Sequence, residues 1–274
     1  MTPPTILNYP IIAIGDLHGQ RAELERLVEE LETRPEWDES ALVFLGDFVD
    51  RGPDVRGALD LVLKLLDRPA GGSAVMGNHD LALVRAARLD DGPLSPYWVE
   101  GYATRYDHHE TFQSYHVHPL KHSGAAWVES LNALREAMPA RHRDFLASLP
   151  WLVEAPGHLF VHCGLSPELE ATPDEQVEAL RAKRWRRSTL RPIPGARTDQ
   201  LWEEDYPVWL GADRSLSARP LPHPDKVQVT GHERVVGPDV TKSRIRIDTG
   251  GGFGRLTACL LASADAAPVF VSSR

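Results

Sequence analysis

The chain has 274 residues, 42% of them hydrophobic and 25% charged, so a core of normal size is expected without disulfide or metal staples. Its formal net charge of −9 argues against a partner held through a phosphate backbone, because such binders cluster Lys and Arg. Two cysteines, Cys163 and Cys259, imply no disulfide framework, and the N-terminal apolar run is too short for a signal core or a membrane span. The expectation is a cytoplasmic protein with neither a membrane nor a nucleic acid as partner.

The first ninety residues alternate between two patterns. Ile11 to Ile14 is a short continuous apolar run, the mark of a buried strand. Leu24, Leu27, Val28 and Leu31 then recur at helical spacing. Ala41 to Leu45 predicts a second strand, and Val55, Leu59, Val62 and Leu66 the inner face of a second helix. Ser73 to Met76 and Leu81 to Leu89 predict a third pair. Strand following helix in this way points to an α/β fold with a mainly parallel sheet covered on both faces.

From about Asp90 to Pro150 the rhythm changes. Tyr97, Trp98, Tyr102 and Tyr106 precede a run of histidines that includes His108, His109, His116, His118 and His122, and helical patterns cover 125–138 and 140–146. This stretch reads as a mostly helical insertion at about 90–150 within a single 1–274 domain. The histidines fit no ligand spacing, so the aromatic neighbourhood is expected to shape a substrate pocket. Strands return at Leu152 to Glu154 and His158 to Val161, and the region from Glu170 to Pro224 reads as one helix followed by long loops. Lys226 to Thr230, Arg244 to Ile247, Leu256 to Leu261 and Pro268 to Ser272 follow as closely spaced strands, expected to be antiparallel.

Acids and imidazoles stand where predicted strands end. Gly15-Asp16-Leu17-His18-Gly19 follows the first strand. Gly46-Asp47-Phe48-Val49-Asp50-Arg51-Gly52 follows the second, and Gly77-Asn78-His79-Asp80 the third. Val161-His162-Cys163-Gly164 and Thr230-Gly231-His232-Glu233 close two later strands. Any one of these is an ordinary turn; their order, each after a strand, makes the case. Strand ends on one side of an α/β sheet form the crevice where ligands bind. Carboxylate, imidazole and amide oxygen, with no thiolate, suit Mn, Fe, Zn or Ni. Two such ions about 3.5–4 Å apart form a clamp for displacement at phosphorus.

The five motifs, GDxHG, GDxxDRG, GNH(E/D), an HGG-like and a GH-like segment, resemble those of the PPP-type metallophosphoesterases, the calcineurin-like superfamily of protein Ser/Thr phosphatases and bacterial diadenosine tetraphosphate hydrolases. Ile247-Asp248-Thr249-Gly250-Gly251-Gly252-Phe253-Gly254 is also similar to the C-terminal part of the bacterial members. The resemblance implies a four-layer αββα sandwich and two divalent metal ions, manganese first and iron, zinc or nickel as alternatives. Carried over by motif, Asp16 and His18 bind the first metal, Asp47 bridges, and Asn78, His162 and His232 complete the second. His79 protonates the leaving group, Asp50 orients His79, and Arg51 binds phosphoryl oxygens.

It also implies hydrolysis of phosphate monoesters by direct attack of a metal-bridging hydroxide, with a phosphoprotein (Ser/Thr or Tyr) or small phosphate ester as substrate. Two alternatives stand beside it: hydrolysis of a dinucleoside polyphosphate, and a metal-dependent binding module without catalysis. Met76 stands where protein phosphatases commonly carry Arg, which favours the dinucleotide reading. Cys163 stands where many members have Gly. A second phosphate-binding arginine is not assigned, with Arg181, Arg184, Arg186, Arg187 and Arg214 as possibilities.

Overall fold

The computed structural model describes residues 3–90, 94–119, 121–183, 209 and 221–274. Its frame is two five-stranded sheets. The first contains β1 (Ile11–Ile14), β2 (Ala41–Phe44), β3 (Gly72–Ala74), β9 (Thr257–Leu261) and β10 (Val269–Ser272), in the order β10-β9-β1-β2-β3. The second contains β4 (Val153–Ala155), β5 (His158–Phe160), β6 (Val227–Thr230), β7 (Asp239–Val240) and β8 (Arg244–Arg246), in the order β4-β5-β6-β8-β7.

The continuous apolar run of β1 follows from its place between β2 and β9 with both faces covered. Ile11 and Ala13 point into an inner core with Val43, Cys259 and Leu261 of the same sheet and Val153, Phe160, Val229 and Ile245 of the other. Ile12 and Ile14 point the opposite way and join Leu42 and Phe44 against the helices. Side chains that alternate across a strand thus bind a sheet on one side and helices on the other.

Helix α1 (Arg21–Glu32) buries Leu24, Leu27 and Leu31. Helix α2 (Val55–Leu66) buries Val55, Ala58, Leu59, Val62 and Leu65, and its N-cap Asp54 accepts the Gly57 amide at 2.8 Å. Helix α8 (Pro173–Arg181) places Val177 and Leu180 in the same core as Leu159 and Val161 beside the second sheet. The layers are therefore helix, sheet, sheet, helix.

Between β3 and β4 run α3 (Asn78–Ala86), α4 (Pro96–Arg105), α5 (His109–Ser114), α6 (Gly124–Ala137) and α7 (Ala140–Ser148). Helix α3 begins earlier than its apolar pattern suggests, so Asn78 and His79 lie in its first turn.

One pairing corrects the expectation of antiparallel late strands: β6 pairs with β8 in parallel. β5 also pairs with β6 in parallel. The connection from β6 to β8 carries β7 around to pair antiparallel on the far side of β8, so β8 re-enters in the direction of β6. Strands β9 and β10 are antiparallel to each other, and β9 is antiparallel to β1. In the first sheet β1, β2 and β3 are parallel, which sets their carboxyl ends at one edge.

Candidate metal centre

The strand ends meet. Asp16 follows β1, Asp47 follows β2, Asn78 and His79 follow β3, His162 follows β5 and His232 follows β6. Asp47 joins two sets of side chains. Its carboxylate groups with ring nitrogens of His18 and His79 on one side and of His162 and His232 on the other, one candidate ligand atom from each residue of a set lying within 4.8 Å of the others. Asp47 Oδ2 faces Nε2 of His18 at 3.3 Å and Nε2 of His162 at 3.5 Å, while Oδ1 accepts the His79 amide at 3.0 Å. Asn78 Oδ1 is 3.2 Å from His162 Nε2 and 3.0 Å from His232 Nδ1. The carboxylate of Asp16 accepts the His232 amide at both oxygens, 3.1 and 2.9 Å.

The backbone here is strained. His18, Asp47, Asp50, Arg51 and His232 all have positive φ, between 44° and 68°, a conformation rare outside glycine. Such residues persist where surrounding structure over-determines them, and they concentrate at functional sites.

The donor chemistry fits a cation. Nδ1 of His18 donates to the Val49 carbonyl at 2.9 Å and Nδ1 of His162 to the Leu45 carbonyl at 2.7 Å. A carbonyl only accepts, so each ring has its proton on Nδ1 and a lone pair on Nε2 when neutral. Nε2 of each ring faces the Asp47 carboxylate, a cluster that positive charge stabilises, whether from a proton on His162, from Arg51 or from a cation. A hydrogen bond on the far nitrogen is also what orients metal-ligating imidazoles.

The charges point the same way. Burial, with Asp248 and Asp47 beside it, holds the Asp16 carboxyl well above the usual carboxylate range. Burial would also raise Asp47, but His162 and His79 hold it well below. His162 is lowered by burial and lifted further by Asp47 and Asp16, to well above the ordinary imidazole value. Buried carboxylates, ring lone pairs and an amide oxygen are the ligand types of borderline divalent ions.

A second unit adjoins the first. His79 Nδ1 lies 2.7 Å from Asp50 Oδ2, with the Asp50 side chain fully buried. Arg51 donates to Nε2 of His18 at 2.8 Å, to Nε2 of His79 at 3.1 Å and to the Gly251 carbonyl at 3.1 Å. The structure thus brings all nine side chains named from the sequence into one neighbourhood. Of the arginines left open, Arg181 is engaged at the surface by Glu154 and Glu178, and Arg184, Arg186, Arg187 and Arg214 lie outside the described residues.

Sequence reasoning missed Asp248. It follows β8, which runs parallel to β6, and is buried where it acts electrostatically on Asp16. Its Oδ1 accepts the Gly251 amide at 2.7 Å. The signal was present in Ile247-Asp248-Thr249-Gly250, a strand ending in an acid and a glycine like the first two motifs.

A model of the family described as calcineurin-like phosphoesterase matches residues 9–246. The symmetrical bis(5'-nucleosyl)-tetraphosphatase of Burkholderia pseudomallei (strain 668) is 30% identical over 197 residues, 68% of this chain and 54% of that protein. Its counterpart from Burkholderia thailandensis is 29% identical with the same coverage. The chain spans about half the length of the curated relatives it matches. Among solved structures, one described as a candidate diadenosine tetraphosphatase aligns over 100% of this chain and 99% of its own, with TM-score 0.54 and 20% identity. The cold-active protein-tyrosine phosphatase of a psychrophilic Shewanella aligns over 100% and 83%, with TM-score 0.57 and 17% identity. At these identities the structural likeness speaks for the fold. With the family match extending over most of its length, the chain belongs to the calcineurin-like phosphoesterases.

Proposed function

We propose that this protein is a two-metal phosphohydrolase in which Asp16, His18, Asp47, Asn78, His162 and His232 hold a pair of divalent cations, with manganese the first candidate. One observation carries the reading: the buried Asp50–His79 pair borders the same Asp47 carboxylate from which the two sets of candidate ligands diverge. When bound, the cations supply an acidified water and positive charge for the phosphoryl oxygens.

The chain's own groups do the rest. His79 donates from Nδ1 to Asp50, which leaves Nε2 turned toward Arg51 and the site. A proton on Nε2 passes to the leaving oxygen as the phosphorus–oxygen bond breaks, and Asp50 stabilises the imidazolium before that transfer. Arg51, with its donors beside both rings, offers a planar fork to phosphoryl oxygens.

For the substrate, the reading is a dinucleoside polyphosphate. The names of the Burkholderia relatives support it, as does Met76 in place of an arginine common in protein phosphatases. A second reading, a phosphomonoester of Ser, Thr or Tyr in a protein, is favoured by the Asp50–His79 pair itself. An alkoxide leaves poorly without a proton, whereas a phosphate leaving from an anhydride needs one less. Cys163 and Cys259 are buried and neither is in a disulfide, which fits a reducing, cytoplasmic setting for either substrate.

The deciding experiment incubates dialysed protein with Mn, Fe, Zn or Ni and offers diadenosine tetraphosphate, a phosphopeptide and 4-nitrophenyl phosphate. Turnover of the dinucleotide well above the other two is the expected result, and phosphopeptide turnover alone would move the assignment to the second reading. Metal binding with turnover of nothing would leave a binding module.

A further inference from the structure

The Asp50 carboxylate has two oxygens with separate partners. Oδ2 is on His79, 2.7 Å from Nδ1. Oδ1 accepts the phenol of Tyr102 at 2.7 Å and the hydroxyl of Thr111 at 2.6 Å. The Thr111 oxygen in turn accepts the backbone amide of Asp50 at 2.9 Å. Asp50, Tyr102 and Thr111 are each 0% exposed, so no water substitutes for these bonds.

Tyr102 lies on α4 and Thr111 on α5, both in the helical stretch between the two sheets. The same stretch holds the backbone of the motif. Asp50 and Arg51 are consecutive non-glycine residues in the left-handed region, with φ of 68° and 65°. The Asp50 amide goes to Thr111, and the Arg51 amide donates to the Asp107 carbonyl at 3.0 Å. Tyr106 of the same stretch sets its ring edge-on to His79, 4.8 Å between centroids.

A hydrogen bond to a carboxylate oxygen fixes where the second oxygen points, and a ring bonded to that oxygen is oriented with it. We infer that Tyr102 and Thr111 are positioning residues, which lock Asp50 so that His79 presents Nε2 to the leaving group. The helical insertion is then a fixed wall of the reaction centre, not a lid free to swing over it. Opening α4 and α5 would break three hydrogen bonds to Asp50 and release a strained turn.

This inference rests on the proposed role of His79 as proton donor, and its test keeps the two apart. Tyr102→Phe, Thr111→Val, Thr111→Ser and His79→Asn are assayed with manganese on 4-nitrophenyl phosphate, whose leaving group departs unaided, and on a phosphoserine peptide, whose leaving group needs a proton. Metal content is measured for each. His79→Asn should lose far more on the alkyl ester than on the aryl ester; equal losses there would sink the proton-donor reading itself.

With that benchmark in place, Thr111→Val and Tyr102→Phe should lower kcat on the alkyl ester by roughly 10- to 100-fold, at least about ten times the loss on the aryl ester, with KM little changed and metal content retained. Thr111→Ser, which keeps the hydroxyl, should recover most of the loss. Equal losses on both esters, or no rescue by serine, would reduce these residues to a packing role and overturn the inference. A Thr111→Val protein that fails to fold leaves the decision to Tyr102→Phe, which removes a single oxygen.

Discussion

Gly231 packs so closely against Asp16 that a β-carbon on Gly231 would fall 1.8 Å from Asp16 Oδ1. The approach lets the next amide, that of His232, reach both oxygens of the same carboxylate. One glycine therefore sets the spacing between a candidate ligand after β1 and another after β6. Gly77 stands likewise to Asp47, where a β-carbon would lie 2.1 Å from Oδ1.

Gly231→Ala should therefore act as a ligand mutation without touching a ligand. Displacing Asp16 is expected to weaken manganese binding by roughly 10- to 100-fold, as loss of an outer support does at metal sites. The overpacking should also cost about 1–3 kcal/mol of stability. Competition against a chelating dye reads the first effect and chemical denaturation the second. Unchanged manganese affinity would mean that Asp16 is no ligand.

Asp47 and His79 should fail in different ways. Asp47 touches both sets of candidate ligands, so Asp47→Asn is expected to lose metal as well as turnover. His79→Asn should keep both metals and lose roughly 100-fold or more in kcat on a substrate with a poor leaving group. Elemental analysis beside steady-state kinetics separates the two. Equal metal loss in both variants would refute the division of roles.

The sandwich and most of the centre are legible in the chain because their signals are local. A strand buried on both faces writes itself as Ile-Ile-Ala-Ile, and each motif announces itself as a strand followed by an acid, amide or imidazole with glycine nearby. Pairing direction at β8 is not local, since it depends on where the preceding loop carries the chain. Tyr102 and Thr111 are illegible for a similar reason. Their partner, Asp50, lies 52 and 61 residues away, and on their own helices they read as an aromatic and a threonine on a buried face. Asp248 differs: it follows a strand and precedes glycines as Asp16 does, so its signal is local and legible.

Metal should stabilise the fold. Asp16, Asp47 and Asp248 are each 2% exposed and act on one another electrostatically, so cations between them relieve a standing repulsion. Manganese at a hundred times its Kd should add about 2.7 kcal/mol. For a chain of this size that is a rise in melting temperature of roughly 5–10 °C. Asp16→Asn should shrink this rise, and in chelator it should melt no lower than the parent, because burial and Asp248 already disfavour the ionised Asp16 carboxyl. Calorimetry with and without manganese decides, and a metal-independent melting curve would contradict the charge argument.

Away from the centre, His142 gives the fold a slope with pH. It is fully buried on α7, where its Nε2 meets Asp60 Oδ1 at 2.6 Å and its Nδ1 meets the Tyr115 phenol at 2.8 Å. A neutral ring with its proton on Nε2 satisfies both partners, donating to the carboxylate and accepting from the phenol. Burial pushes the imidazole below its ordinary value of 6.5 even though Asp60 pulls it up, and Arg141 and Arg56 lower it further. A histidine whose folded value is depressed binds its proton more weakly when folded. Its contribution is therefore complete above the unfolded value and is lost as pH falls from there toward the folded one. Denaturation midpoints should fall from pH 7.5 to about pH 5, and His142→Gln should flatten that fall while costing about 1–3 kcal/mol at pH 7.5, where the Tyr115 bond is lost. His108 and His158 are lowered by burial as well, so the difference between the two slopes is the quantity that isolates His142. Parallel slopes would show that the ring binds its proton equally well folded and unfolded, and a steeper fall in the variant would show a ring held charged by Asp60; either outcome overturns the prediction.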